Sequence, residues 1–247
     1  MRHCLLILTC LSAFQPAGAA EDAKPLLPIP DRLVVLTFDD ACKSDVEYVA
    51  PLLKRYGFGA TFFMTEGGRH QRGWNEENYL TWKEAKKIHD AGFEIGNHTR
   101  THANVAQLSK DKIRAELEYV ERQCKEHGIA VPRTFCYPGF QYGRDAVAVL
   151  EDKGYLFARR GVAPEFPYNG EGARGPVYDP NSDHPLLIPT TGFSGPDWDF
   201  EDFVWAVKQA RDGKIAVLTF HGVPDLDHPW VHTDPEVFEK YMDYLRD

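Results

Sequence analysis

Residues 33–40 read LVVLTFDD, an unbroken apolar run that ends in two carboxylates. A continuous apolar run of this kind is typical of a strand that is buried on both faces of a parallel sheet. Along the chain from this point, further short β-type runs alternate with segments of helical spacing. Strands that alternate with helices in this way predict an α/β fold built on a parallel sheet or barrel.

The other elements are read from the same patterns. Five more strands are predicted, over residues 60–64, 93–96, 133–137, 155–159 and 215–220. Helices are predicted over residues 46–56, 81–91, 109–127, 145–153, 201–211 and 236–247. Thr81 followed by Glu84 is a capping-box pattern, and Gly57 and Gly92 are natural helix stops. The Gly- and Pro-rich segment 161–196 predicts a long excursion with one short strand at 186–188.

Polar or turn-forming residues follow four of these strands directly. They are Asp39-Asp40 after the first strand, residues 97–102 (Asn-His-Thr-Arg-Thr-His), residues 138–140 (Pro-Gly-Phe), and His221-Gly222 after the last. In barrels and open α/β sheets, the carboxyl ends of the strands are where active sites are built. We therefore expect these groups to lie together although they are far apart in the sequence.

Asp40, His98 and His102 offer one carboxylate and two imidazoles. This set suits a Zn²⁺-like ion that keeps open positions for water and substrate. The His-x-x-x-His spacing predicts that both rings lie on one face of a helical turn. A chance surface pair is the alternative for the spacing alone, but the Asp-Asp pair at a strand end favours the metal site.

Asp39 and His221 are candidate acid–base groups. Because consecutive side chains point differently, Asp40 can hold the metal while Asp39 acts as a general base. The alternative for Asp39 and Asp40 is a helix N-cap pair. His221 is placed to protonate a leaving amine, and its alternative is a hydrogen-bonded structural histidine.

The motifs resemble those of a known family. They are Thr37-Phe38-Asp39-Asp40, His98-Thr99-Arg100-Thr101-His102 and Leu218-Thr219-Phe220-His221. The chain is similar to the polysaccharide deacetylases of the NodB-like chitooligosaccharide deacetylase family, carbohydrate esterase family 4. The resemblance implies a distorted, incomplete (β/α) barrel and metal-dependent removal of N-acetyl groups from amino sugars. It also implies Asp39 as base, Asp40, His98 and His102 as ligands of one divalent ion, and His221 as acid. We expect zinc, with cobalt, nickel or manganese as alternatives.

Three departures from the family pattern affect the predicted site. Ala41 follows Asp40 where the family usually has Gly. Cys136 begins the segment Cys136-Tyr137-Pro138-Gly139 where the family commonly has Arg-Pro-Pro-Tyr, so the arginine that orients the base is missing. We expect Arg159, or failing that Arg160, to replace it, because both end the next strand.

The resemblance also implies substrate and transition-state contacts. The N–H near Gly139, with Tyr137 and Pro138 beside it, takes the oxyanion-stabilising place. The third departure is at Asp197 and Trp198, which match only loosely the Asp/Trp motif that supports the acid and walls the site. Leu218, in the last motif, is predicted to contact the substrate. The family usually continues with one more strand and helix after the segment that corresponds to 236–247.

The predicted organisation is a signal peptide (1–20), an N-terminal linker (21–31) and one deacetylase domain (32–247). Arg2, an apolar stretch over 4–14 and small residues at 17–20 follow the order of a secretory signal peptide. The apolar stretch is far shorter than the ~20 residues of a spanning helix. We expect export to the periplasm or the medium without a transmembrane anchor. Cys10 raises the alternative of a lipoprotein.

Composition limits the partners. The chain has 247 residues, a net charge of −9 and no basic run, which excludes an electrostatic footprint for nucleic acid. Outside the predicted leader only Cys42, Cys124 and Cys136 remain, too few for a disulfide framework, and we expect free thiols. The predicted partner is an N-acetylated glycan. The alternatives are a small amide or O-acetyl ester as substrate, or a non-catalytic glycan-binding module.

Overall fold

The computed structural model describes residues 28–67, 77–167 and 173–247. The predicted signal peptide and most of the predicted linker lie outside these residues. Within the described part of the chain, none of the helices combines the length and the apolar character needed to cross a membrane.

A parallel sheet forms the centre of the domain. The described residues supply seven strands: β1 (Val34–Phe38), β2 (Thr61–Met64), β3 (Glu94–Asn97), β4 (Thr134–Cys136), β5 (Phe157–Arg159), β6 (Gly192–Phe193) and β7 (Ala216–Phe220). Their order across the sheet is β5-β4-β3-β2-β1-β7-β6, and every pair is parallel. All seven carboxyl ends therefore lie at one edge.

The sheet is curled rather than flat. β5 lies four positions from β1, which in a flat sheet would separate them by about 19 Å at the usual strand spacing. Yet Arg159 at the end of β5 contacts Asp39, just after β1, at 2.6 Å. The strands therefore bend into a half-barrel, and the predicted distorted, incomplete (β/α) barrel is confirmed.

Helices pack outside the sheet. They are α1 (Ala50–Tyr56), α2 (Trp82–Asp90), α3 (Lys110–Glu126), α4 (Arg144–Asp152), α5 (Phe200–Val207) and α6 (Pro235–Arg246). The capping box at Thr81 and Glu84 is present. A π-helical turn, Asp45–Val49, precedes α1. The strand predicted at 186–188 is not formed: Pro185–Leu187 is a 3₁₀ turn, favoured by proline at its first position, and only Ile188 pairs with the sheet, in an isolated parallel bridge to Arg159. Gly192–Phe193 supplies β6.

Side chains of β1 alternate between two environments. Leu36 and Phe38 point towards the helices, where the Phe38 ring lies 4.9 Å from Phe62 and 5.4 Å from Phe220. Val35 packs on the opposite face, against the apolar lining of the half-barrel. Because strand side chains alternate with a period of two, Asp39 follows Val35 and Thr37 onto the inner face. The predicted free thiols Cys42, Cys124 and Cys136 are all free and buried.

Candidate active site

A pocket of about 190 Å³ opens at the carboxyl ends of the strands. It is lined by Asp39, Asp40, Thr65, Tyr79, His98, His102, Gly139, Phe140, Phe193, His221, His228, Trp230 and Val231. The polar groups predicted to converge from the ends of β1, β3, β4 and β7 therefore do so. Parallel strands place them there, because all their carboxyl ends share one edge.

The Asp39-Asp40 pair diverges at the end of β1. The Asp39 N–H donates to the Phe220 carbonyl (3.0 Å) and so continues the ladder with β7. Asp40 then has a φ of 70° and Ala41 a φ of 55°. This left-handed turn separates the two carboxylates, which gives each a different set of partners. It also explains why glycine is favoured after the pair, since alanine is strained in this conformation.

Asp40, His98 and His102 form a compact cluster. Oδ1 of Asp40 lies 3.3 Å from Nε2 of His98 and 3.3 Å from Nε2 of His102. The segment that carries the histidines is not helical, so the predicted helical turn is wrong. Thr99 has a φ of 64° and His102 a φ of 54°, and the two rings meet edge to face at 4.9 Å.

The cluster fits a divalent metal ion. The Nδ1 of His98 lies 2.8 Å from the Cys136 carbonyl, and a proton donated there leaves the Nε2 lone pair facing Asp40. This is the usual outer support of a metal-binding histidine. Oδ1 of Asp40 is buried and accepts no hydrogen bond from the described residues. Burial lowers the pKa of His102, which keeps that ring neutral. Three ligand atoms of the types zinc prefers therefore converge.

A second group of candidate ligands, Asp39, His98 and Cys136, lies beside the first. The Arg159 guanidinium occupies it: Nη2 lies 2.6 Å and 2.5 Å from the two Asp39 oxygens and 2.7 Å from the Cys136 sulfur. A cation here would meet a fixed positive charge. Asp40, His98 and His102 are therefore the better candidates for holding a metal ion.

Arg159 lies where the sequence-based hypothesis requires an arginine. It is 3% exposed, and its Nη1 donates to Thr190 at 3.1 Å. Burial by itself raises the pKa of Asp39, but the charges of Arg159, His98 and His221 outweigh burial and hold this pKa below its usual value. Arg160 points elsewhere and pairs with Glu165 at 2.6 Å. Of the two arginines considered, Arg159 takes the position beside Asp39, the predicted base.

His221 lies on the other side of the carboxylates. Its Nε2 is 3.7 Å from Oδ2 of Asp40 and 4.0 Å from Oδ2 of Asp39. The ring packs edge to face against Phe193 at 5.8 Å. Its Nδ1 is buried and has no hydrogen-bond partner among the described residues. The ring is therefore positioned by packing rather than by a carboxylate.

Asp197, Trp198 and Leu218, which were predicted to contact the substrate, do not line the pocket. Asp197 is exposed. Trp198 is 4% exposed and packs in the core on Phe220. Leu218 is fully buried in the same core. Side chains along β7 point alternately to the two faces of the sheet, so Leu218 and His221, three residues apart, point to opposite faces. No supporting carboxylate for His221 comes from the Asp197 segment.

The turn after β4 contributes Gly139 to the pocket wall. Gly139 has a φ of 57°, a conformation that favours glycine. The next two N–H groups, of Phe140 and Gln141, donate to the carbonyls of Tyr137 and Pro138. Tyr137 is fully buried, with its hydroxyl donating to the Leu186 carbonyl at 2.8 Å. Tyr137 and Pro138 therefore support the turn, and Gly139 is the member that reaches the pocket.

Six pocket-wall residues were not predicted from the sequence: Thr65, Tyr79, Phe193, His228, Trp230 and Val231. Three of them belong to the segment that follows Gly222. Its residues 224–228 read Pro-Asp-Leu-Asp-His, a polar sequence directly after a strand end. That position was itself a signal, because loops after parallel strands build active sites.

The protein is a parallel half-barrel that carries an Asp-His-His cluster at the ends of its strands. Comparison of the sequence with known families identifies the family. The model of the family described as polysaccharide deacetylase matches residues 28–158. This is more than half of the chain, which therefore belongs to the polysaccharide deacetylase family.

Individual relatives are distant. The chain is 34% identical over 137 residues to the peptidoglycan-N-acetylglucosamine deacetylase of Bacillus cereus, a match covering 52% of this chain and 56% of that protein. The chain spans about half the length of the curated relatives it matches. Two solved structures share the fold. One is the chitin deacetylase of Colletotrichum lindemuthianum (TM-score 0.58, 15% identity, coverage 90% and 86%). The other is a carbohydrate esterase family 4 pseudoenzyme from Bacillus anthracis (TM-score 0.55, 20% identity, coverage 88% and 62%).

Metal binding should weaken as the pH falls. Burial lowers the pKa of His98, but Cys136 and Asp40 outweigh it and raise this pKa well above the ordinary value. A metal must then displace a proton from His98, so affinity increases with pH. Where His98 is protonated in the free protein, we expect Co²⁺ affinity to fall about tenfold per pH unit on acidification. Titrations followed by visible absorption at several pH values measure this slope, and a flat profile would contradict it.

Proposed function

We propose that this protein is a metal-dependent hydrolase that removes N-acetyl groups from amino-sugar polysaccharides or oligosaccharides. The observation that carries the proposal is the single pocket in which Asp40, His98 and His102 converge beside Asp39 and His221. Membership of the polysaccharide deacetylase family supports the substrate class. Binding alone requires no such combination of base, acid and metal ligands.

The ion would be held by Asp40, His98 and His102, with zinc as the first choice. The chemistry that a divalent cation supplies when bound is polarisation of a carbonyl and a lowered pKa of water. Cobalt, nickel and manganese are the alternatives to test.

Asp39 supplies the base in this mechanism. Its low pKa keeps it ionised at neutral pH, and the Arg159 contacts fix its orientation. Asp39 takes a proton from the water that attacks the acetyl carbonyl. The N–H of Gly139 is the candidate donor to the tetrahedral oxyanion, because the neighbouring N–H groups are already engaged.

His221 supplies the acid. The carbon–nitrogen bond breaks only if the departing amine receives a proton, and the Nε2 of His221 faces both carboxylates at 3.7–4.0 Å. The alternative of an ester or small-amide substrate arose from the missing motif arginine. Arg159 fills that position, so the missing motif arginine no longer favours that alternative.

Chelation followed by metal addition tests the proposal. Native protein treated with dipicolinate should release no acetate from N-acetylglucosamine oligomers, and Zn²⁺ or Co²⁺ should restore release. His98→Ala should stay inactive at any metal concentration, because two remaining ligands do not make a catalytic site. His184→Ala is the matched control, since His184 is half exposed and pairs with Glu151 away from the pocket.

Acetate release that survives complete metal removal would contradict the proposal. Metal binding without acetate release from any N-acetylated glycan would favour the non-catalytic module instead. Acetate release from esters alone would favour the esterase alternative.

Export is part of the same proposal and rests on residues 1–20 alone. The mature protein in the periplasm or medium should begin near Ala20 or Glu21, which N-terminal sequencing measures. A mature chain that starts at a lipid-modified Cys10 would replace this proposal with a lipoprotein.

A further inference from the structure

The loop between β7 and α6 turns back over the pocket. Gly222 begins it: a Cβ at this position would lie 2.6 Å from the Cα of Asp225, so the turn requires glycine. The far end is fixed by the Thr233 N–H, which donates to the Gly222 carbonyl at 3.3 Å. Thr233 also shares a hydroxyl hydrogen bond of 2.8 Å with Ser194. The loop is therefore held at both ends and forms a defined wall.

Within this loop, Asp225 holds His228. Oδ1 of Asp225 accepts the N–H groups of His228 (2.8 Å) and Asp227 (3.1 Å). Oδ2 lies 3.3 Å from Nδ1 of His228. Asp225 is only 6% exposed, so this imidazole is anchored from behind by a buried carboxylate. Such support fixes the orientation of a histidine ring.

The other nitrogen of His228 is left for a ligand. His228 lines the same pocket as Asp39 and His221. Its Nε2 has the Tyr79 hydroxyl at 3.5 Å, which is long for a hydrogen bond between oxygen and nitrogen. An incoming hydroxyl group can therefore take this position at little cost.

Trp230 completes the wall. It is 65% exposed at the pocket rim, and its ring lies 5.1 Å from the His228 ring. Tryptophan is enriched at binding surfaces, because its ring combines a large apolar face with a polar N–H group. The indole presents a flat apolar face, and His228 beside it presents a directional polar atom.

We infer that Trp230 and His228 form a sugar subsite, in which the indole stacks on the apolar face of a pyranose ring and His228 hydrogen bonds to one of its hydroxyl groups. The inference rests on the proposed function, whose substrate is an N-acetylated amino-sugar chain. Acetyl transfer to water requires neither residue. Their contribution is to bind the ring that carries, or adjoins, the reacting acetamide.

Binding and turnover measured together test the subsite. N-acetylglucosamine tetramer is titrated calorimetrically into the metal-loaded Asp39→Asn protein, with and without Trp230→Ala or His228→Ala. We expect each added substitution to weaken binding about tenfold, the loss typical of a central aromatic or polar contact. In the active protein, which keeps Asp39, the Trp230→Ala and His228→Ala substitutions should raise KM for the tetramer by a similar factor. Turnover at saturation and cleavage of 4-nitrophenyl acetate should change little.

Two control variants distinguish loss of the subsite from misfolding of the loop as the cause of weaker binding. Trp230→Phe keeps an aromatic face and should recover most of the affinity. Leu226→Ala changes a residue of the same loop that is 78% exposed and does not line the pocket, and it should bind the tetramer normally. Thermal unfolding of each variant checks that it is folded.

Unchanged tetramer binding in both Trp230→Ala and His228→Ala would overturn the subsite while leaving the proposed function intact. An equal loss in Leu226→Ala would also overturn it, since the loop as a whole would then be responsible. A native protein that cleaves the aryl ester but neither binds nor deacetylates the tetramer would instead remove the proposed function, and the subsite with it.

Discussion

Asp39→Asn should take up the metal normally yet lose roughly 10²–10⁴-fold in turnover, the usual contribution of a general base. The amide keeps the size of the carboxylate but cannot accept the proton. Metal uptake should persist because the ion is assigned to Asp40, His98 and His102 rather than to Asp39. Metal analysis and acetate release on the same preparation give both values, and full activity of Asp39→Asn would contradict the mechanism.

His221→Ala provides the matched comparison. It should lose a similar factor on N-acetylated glycans, whose amine leaves only with a proton. The loss should be smaller on an aryl acetate, because a phenolate leaves unprotonated. Equal losses on amide and ester would count against the acid role of His221.

Arg159→Met should lower the free energy of unfolding by about 3–5 kcal/mol at neutral pH, as breaking a buried ion pair commonly does. The substitution fills the volume but leaves the Asp39 carboxylate, 2% exposed, without its charge partner. Urea unfolding at several pH values measures the loss. Arg160→Met is the control, since its partner Glu165 is 45% exposed and needs no buried counter-charge.

The pH dependence of this loss has a defined sign. In the native protein the pKa of Asp39 lies below its usual value. Its ion pair therefore contributes stability above the unfolded pKa, and that stability is lost as the pH falls through the folded pKa. In Arg159→Met, burial raises the pKa of Asp39 instead, so the neutral acid is tolerated at low pH. The difference in the free energy of unfolding between the native protein and Arg159→Met should therefore shrink as the pH falls. A difference that grows on acidification would contradict this account.

Much of the fold could be predicted because its signals are local. The apolar runs at 33–38 and 215–220 identify β1 and β7, and Thr81 with Glu84 marks a helix start that the structure contains. Asp40, His98 and His102 could be grouped because parallel strands share an edge. Arg159 could be proposed because a buried carboxylate beside a missing arginine needs another cation.

Other features depend on contacts that the sequence does not display. The left-handed backbone at Thr99 and His102 cannot be read from a His-x-x-x-His spacing, which suits a helix equally well. Trp198 and Trp230 are both aromatic residues after strand ends, and only packing separates the core residue from the rim residue. Asp225 and His228 were missed because their pairing depends on the tight turn at Gly222.

The pairing of β1 with β7 has a consequence for how the chain acquires its structure. Thr37 and Leu218, joined by a hydrogen bond across these two strands, are 181 residues apart. Contacts between such distant segments form slowly, since a long loop must close before they are gained. The half-barrel can be completed only after the last strand has been synthesised. Folding is therefore expected to end, rather than begin, with the contact between Asp39 and His221. A nascent chain that stops before Ala216 lacks both β7 and His221, and so cannot form the pocket.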